Sequence, residues 1–311
     1  MLKNIFKKLI KPKPGELVDA CRGKEVSLSQ VKELLARGAD IEEKNLWGYT
    51  ALIGLSAADK DHGDIARLLV ENGADINSKD KDGNTALIWA CCKNNEATAL
   101  LLIEKGALLD EESVQGEFAL RYASGRGHSA IVKKLIEKGV QINKKSKRES
   151  TALIYAAREG QLDIVQMLIE NGANIDERDA NGKTVIISVA GHRDYGDVVQ
   201  LLAEKGAKLD EKNNDGITAL MAACFAGNAA IVQVLIKAGA KLDEKDAEGY
   251  TALSWARRKG SAAIEEMLEA AIKDQNEKAE RERQRLLKQV VDPKLQRSLK
   301  VKTPPKLGGR S

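Results

Sequence analysis

Apolar and small residues recur along this chain in short paired bursts separated by polar connectors. Between Ser150 and Asp176 the sequence reads STALIYAAREGQLDIVQMLIENGANID. Leu153, Ile154, Ala156 and Ala157 are the apolar and small positions of a first short helix, with Thr151 placed to cap it and Gly160 to break the chain into a turn. A second helix follows. Asp163 falls in its first turn, where a carboxylate favours the positive helix end, and Ile164, Val165, Leu168 and Ile169 form one apolar stripe. Gly172 ends it, because glycine enters the left-handed conformation without steric cost. Two helices this short cannot enclose a core, so the unit requires neighbours like itself.

The chain contains them. The capping threonine returns at Thr50, Thr85, Thr151, Thr184, Thr218 and Thr251, with Phe118 in the remaining slot, and the terminating glycine returns at Gly38, Gly73, Gly106, Gly139, Gly172, Gly206 and Gly239. The spacing is 33 residues, except 35 in the first unit and 34 in the fifth. With TALIWA at Thr85, TALIYA at Thr151, TALMAA at Thr218 and TALSWA at Thr251, the chain resembles the ankyrin repeat, whose mark is a 33-residue period carrying T-P-L-H-x-A. Alanine replaces the proline, and Ile88, Ile154 or Met221 replaces the histidine, so the family's threonine–histidine hydrogen bonding does not carry over. The resemblance covers Gly15 to about Ile272. It implies an all-α solenoid of stacked helix-turn-helix units with hairpin fingers. It also implies non-catalytic binding of other proteins on the concave face that fingers and first helices form together.

On this reading residues 15–45 are a divergent capping unit, 46–272 are seven repeats and 273–311 are a charged helical tail. An aspartate or asparagine before glycine, as at Asp82-Gly83, Asn181-Gly182 and Asp215-Gly216, favours a tight finger hairpin. Three departures stand out. Phe118 in place of threonine predicts weaker capping in the third repeat, and Glu149 in place of the finger glycine predicts a differently bent fourth finger. The inter-helix turns in SAADKDHGDIARLL and VAGHRDYGDVVQLL are longer than the others, which reads either as recognition or as neutral surface variation.

Four residues past the threonine slot stand Trp89, Tyr122, Tyr155 and Trp255. Repetition at one offset reads first as core packing between first helices; the alternative is a partly exposed aromatic stripe of the kind that anchors partners. Trp47, Tyr49 and Tyr250 are large groups in predicted fingers, where the repeat core does not demand them. Arg121, Arg126, Lys147, Arg148, Arg158, Lys183 and Arg193 fall at finger or turn positions near the middle. Together these residues suggest a face with an aromatic end and a basic centre, matched to an acidic peptide or loop.

Charge adds a second layer. Residues 1–14 carry five lysines and no acid, and residues 273–311 carry 12 basic against 5 acidic side chains. The whole chain is +4, so the repeat body is −8. Leu2, Ile5, Phe6, Leu9 and Ile10 follow the spacing of an amphipathic helix ended by Pro12 and Pro14. This segment reads as a cover for the first repeat, with anchoring to an anionic membrane surface as the alternative. Leu286, Leu287, Val290 and Val291, with Leu295 and Leu299 beyond, offer a docking motif in the tail or a basic surface, against a plain solubilising extension. The basic stretches lack interleaved aromatics, which argues against nucleic acid.

Aromatics are only 4% of the chain, as thin layers of small and aliphatic residues require. Cys91 and Cys224 share the repeat slot of Ala157, and Cys21 closes a similar DAC, so buried thiols in a reducing compartment are expected rather than disulfides. Apolar runs are too short for a transmembrane span, and Lys3, Lys7 and Lys8 interrupt any secretory signal, which predicts a cytoplasmic protein with signal-less export left open. His62, His128 and His192 have no metal-ligand spacing, and no phosphate loop or nucleophile elbow is present. His128 occupies the family's G-H slot, where a structural hydrogen bond is the usual role. Neither an enzyme nor a cofactor is expected.

Overall fold

A computed structural model describes residues 11–290 apart from Lys24, Arg193 and Asp194. The amphipathic helix expected before Pro12 and the tail residues beyond Val290, including Leu295 and Leu299, lie outside the described residues, as does Arg193.

The described residues form an all-helical solenoid of eight helix pairs in chain order. The first helix of each pair is α1 (Glu16–Arg22), α3 (Ala51–Ser56), α5 (Ala86–Lys93), α7 (Ala119–Gly125), α9 (Ala152–Arg158), α11 (Val185–Ala190), α13 (Ala219–Ala226) or α15 (Ala252–Lys259). The second helices are α2 (Leu28–Ala36), α4 (Gly63–Glu71), α6 (Glu96–Glu104), α8 (Ser129–Glu137), α10 (Leu162–Glu170), α12 (Gly196–Glu204), α14 (Ala229–Lys237) and α16 (Ala262–Val290). Each first helix packs on the next first helix, and each second helix on the next second helix. Stacking supplies the core that a pair lacks, so contacts are with neighbours alone.

The stripes read from the sequence are the buried ones. Ile164, Val165 and Leu168 of α10 are at most 1% exposed, as are their counterparts Ile131, Val132 and Leu135 of α8 and Ile231, Val232 and Leu235 of α14. Cys21, Cys91 and Cys224 are buried free thiols. Desolvation pushes the Cys21 and Cys224 thiols up to about 12, which keeps them protonated and unreactive. Ile264 and Leu268 dock the start of α16, whereas Lys273 to Leu286 are exposed and steadied by pairs such as Arg281–Glu277 at 2.9 Å.

Thr50, Thr85, Thr151, Thr218 and Thr251 cap their helices by accepting from the backbone N–H three residues on, at 3.3–3.4 Å. Thr184 departs from the expected pattern: its Oγ1 is buried with no partner among the described residues. Phe118 makes no cap either, and its ring is 1% exposed, so this slot trades a hydrogen bond for apolar bulk.

The fingers carry isolated antiparallel bridges at Lys79–Thr85, Glu112–Phe118 and Arg178–Thr184. They are also joined to one another by backbone hydrogen bonds, from Lys81 to Trp47, Val114 to Asp82, Ala180 to Arg148, Asn214 to Asn181 and Ala247 to Asp215, at 2.7–3.2 Å. Close approach explains the finger glycine. At Gly216, φ is 77°, and a Cβ would lie 2.7 Å from the backbone nitrogen of Ala247. Glu149 takes the same left-handed conformation, with φ of 57°, so the fourth finger does not bend differently as its sequence suggested. Arg148 still receives the hydrogen bond from Ala180. A side chain held in this region costs about 1 kcal/mol, so Glu149→Gly is expected to raise stability by roughly 0.5–1 kcal/mol in urea denaturation. An unchanged or lower midpoint would show that the Glu149 pair with Lys145, 3.7 Å apart, outweighs the strain.

The longer turn of the first repeat is a structural part. Asp61 Oδ2 accepts from Ala97 N at 2.5 Å and its Oδ1 from Thr98 Oγ1 at 2.6 Å, capping α6 of the next repeat. Asn95 Nδ2 donates to the turn carbonyls of Ser56 and Ala58 at 3.0 and 2.9 Å. In the fifth repeat, Asn228 Nδ2 donates to the His192 carbonyl at 3.0 Å in the same manner.

Candidate functional site: the finger face

Every finger begins with one polar residue whose side chain closes it. Asp80 Oδ1 accepts from the backbone nitrogens of Asp82 and Asn84 at 2.9 and 2.8 Å. Asn45, Ser146, Asp179, Asn213 and Asp246 do the same two and four residues on, at 2.8–3.3 Å, and Ser113 does so four residues on, at 3.1 Å. A short acceptor side chain at the start of a turn satisfies backbone donors that the hairpin leaves open.

The identity of this residue follows the side chain nine residues later, on the first helix. Asp80 and Asp246 precede Trp89 and Trp255, and the second carboxylate oxygen accepts from the indole Nε1 at 2.8 and 2.9 Å. Ser113 and Ser146 precede Tyr122 and Tyr155, and the Tyr155 hydroxyl lies 3.4 Å from Ser146 Oγ. Asn45 and Asn213 precede Gly54 and Ala222, which have nothing to donate. Asp179 precedes Ser188; here Arg158 of the preceding repeat donates to Asp179 Oδ2 at 2.5 Å and to Ser188 Oγ at 3.3 Å. A buried carboxylate oxygen needs a donor, so aspartate appears where an indole or a guanidinium supplies one.

The aromatic column combines the two expectations: Trp89, Tyr122 and Trp255 pack against the core while remaining partly exposed. Trp89, Tyr122 and Tyr155 are half-buried. Tyr49 packs edge-on to Trp89 with centroids 5.9 Å apart, so it is a partly buried support and not the solvent-exposed anchor its finger position predicted. Trp47 is 54% exposed and stacks under the Arg22 guanidinium at 4.2 Å. Tyr250 is 40% exposed and meets Trp255 edge-on at 5.8 Å.

The basic residues divide into held and free. Arg158 is committed to Asp179 and is not available as a surface cation. Arg121 lies over the rings of Tyr122 and Tyr155, at 4.7 and 4.2 Å, and pairs with Glu117 at 2.5 Å. Lys147 Nζ donates to the Val114 carbonyl. Arg126, Arg148 and Lys183 make no ion pair among the described residues; Arg126 lies 5.8 Å from the Tyr122 ring centroid, in a cleft it lines with Tyr122 and Tyr155. Arg126 depresses the pKa of His128 together with burial, which is the larger cause, and His128 Nε2 is buried without a partner among the described residues. That nitrogen therefore does not make the structural hydrogen bond expected of the slot among the described residues.

Two features escaped the sequence reading. Phe225 is 59% exposed on α13 and meets Trp255 edge-on at 5.4 Å. Beside it, small residues at Ser188, Gly191 and Ala222 leave a cleft of about 510 Å³, floored by Ile187, Ile217 and Met221 and rimmed by Lys183 and Lys259. Both signals were present as departures from a column: phenylalanine seven residues past Thr218, and small residues where the neighbours carry rings.

Among the described residues, no group of three or more histidine, cysteine, aspartate or glutamate side chains is placed to hold a metal ion. No described helix is long and apolar enough to cross a membrane. Comparison of the chain with curated proteins finds no match. The family model for ankyrin repeats matches three times in tandem, over residues 17–113, 107–179 and 186–279. These matches span most of the helix pairs just described, and ankyrin repeats are generally protein–protein interaction modules. With its stacked helix pairs, bridged fingers and period of about 33 residues, the chain belongs to the ankyrin-repeat family.

Proposed function

We propose that this protein is a non-catalytic binding module whose finger face captures an acidic segment of a partner protein. The observation that carries this reading is that Arg126, Arg148 and Lys183 make no ion pair among the described residues, on a surface otherwise fixed by internal hydrogen bonds. Arg121 and Arg158 have their charge met by carboxylates within the fold, while no described carboxylate pairs with these three, and Arg126 has only the distant Tyr122 ring at 5.8 Å. The face is preformed: backbone bonds join the fingers and carboxylates hold the indoles, so little ordering entropy opposes association. Half-buried rings beside the cations provide apolar area that charge steering alone lacks.

The test compares the full chain with Arg126→Glu/Arg148→Glu in affinity capture from native lysate, at matched thermal stability. A partner bound by the first, released by moderate salt and lost by the second is the expected result. Equal capture by both proteins removes the basic centre from the reading.

A further inference from the structure

We infer that the cleft between the fifth and seventh repeats is a socket for one bulky apolar side chain of an extended partner segment that carries carboxylates on either side of it. This rests on the reading that the finger face takes an acidic segment, and adds where the specificity lies. The socket is made by subtraction. In the repeat that begins at Thr184, the cleft is lined by small residues, Ser188 on α11 and Gly191 just past its C-terminal end; in the next, Ala222 is small and Phe225 stands beyond it. Trp255 closes the far end, fixed by Asp246. An opening of about 510 Å³ with an apolar floor of Ile187 and Met221 suits a leucine, methionine or aromatic side chain, and Phe225 and Trp255 offer it ring edges and faces.

Charge selects the occupant. Lys183 and Lys259 on the rim, and Arg258 stacked on Trp255 at 5.3 Å, make no ion pair among the described residues. One carboxylate, Asp215, also lines the cleft and accepts from the neutral amide of Asn213 at 3.3 Å; its single negative charge is outnumbered by the two lysines. The rim therefore attracts carboxylates on both sides of the socket. The chain's own two remaining segments, residues 1–14 and 273–311, are both strongly basic, and their charge is wrong for this rim.

The experiment selects binders to the full chain from a displayed random dodecapeptide library, then measures the enriched peptides, made synthetically, by fluorescence anisotropy. The expected consensus is one bulky apolar residue flanked by aspartate or glutamate. Ala222→Trp, which fills the socket, is expected to weaken these peptides roughly ten- to hundredfold, the effect of keeping one large side chain in water. Lys183→Glu/Lys259→Glu, which leaves the socket open and alters one half-buried and one exposed rim position, is expected to weaken them comparably and to reverse their salt dependence. Circular dichroism and melting temperature confirm that both variants fold. Acidic peptides with no shared apolar residue, bound equally by Ala222→Trp, overturn the socket and leave the acidic-segment reading in place. Binders without acidic residues, or no enrichment, overturn both. A concentration-dependent dimer of the full chain that Ala222→Trp dissociates assigns the socket to a second copy instead and also overturns the inference.

Discussion

Asp80→Asn is expected to destabilise the protein by about 2 kcal/mol, the typical worth of a hydrogen bond to a charged group. Asparagine keeps one carbonyl oxygen, and Asn45 and Asn213 show that this suffices to close a finger. The loss falls on the second oxygen. Asp80 Oδ2 accepts from Trp89 Nε1 at 2.8 Å in a site where the aspartate is only 7% exposed. An amide turned to keep the turn bonds presents N–H groups to the indole N–H, and two donors face each other. A double-mutant cycle separates the two roles: in a Trp89→Phe background the same substitution should cost clearly less, because the indole donor is gone and only the longer Asn84 Nδ2 bond at 3.3 Å remains on that oxygen. If Asp80→Asn costs as much in both backgrounds, the aspartate acts through the finger backbone alone and the pairing with the helix residue has no energetic content. The same cycle on Asp246 and Trp255 carries a functional readout, since Trp255 walls the socket.

This pairing shows what was legible in the sequence. The helix pairs, their stripes and the terminating glycines could be read because each is set by local periodicity, and Ile164, Val165 and Leu168 are buried as the 3.6-residue pattern requires. The role of Arg158 could not be read in that way. Its partner Asp179 lies 21 residues away in the next finger, and nothing local distinguishes a held arginine from a free one. Trp89 was ambiguous for a related reason: a repeated aromatic has the same periodicity whether it faces a neighbouring helix or the edge of a groove. What resolves it is the identity of the residue nine positions earlier, a relation visible only when repeats are compared with one another. The cleft was harder still, because it is defined by missing volume at Ser188, Gly191 and Ala222, and absence of bulk carries no pattern of its own.

Phe118 puts the same lesson in energetic terms. By the repeat pattern, Phe118→Thr restores the capping residue found in the other repeats, and pattern alone predicts a gain of about 1 kcal/mol from the recovered hydrogen bond to the backbone of α7. The structure predicts the opposite. The ring is 1% exposed within the core cluster, and truncating a buried phenylalanine costs about 3–5 kcal/mol. Threonine refills part of that volume and supplies the cap, so the net loss should be about 2–3 kcal/mol, including the weak attraction of Lys144 Nζ, 5.8 Å from the ring centroid. Because stability in a solenoid passes between neighbours, the loss should appear first as faster amide exchange in α7 and in the flanking α5 and α9, with the terminal repeats least affected. Urea denaturation followed by circular dichroism gives the total, and exchange gives its location. A variant more stable than the parent would mean that the cap outweighs the ring, and that the third repeat is drift from the common pattern. A variant that is less stable and loosened at α7 would mean that the bulk of Phe118 is required where it stands, and that the middle of the finger face, with Arg121 and Tyr122 on the same helix, is held rigid by the residue that breaks the pattern.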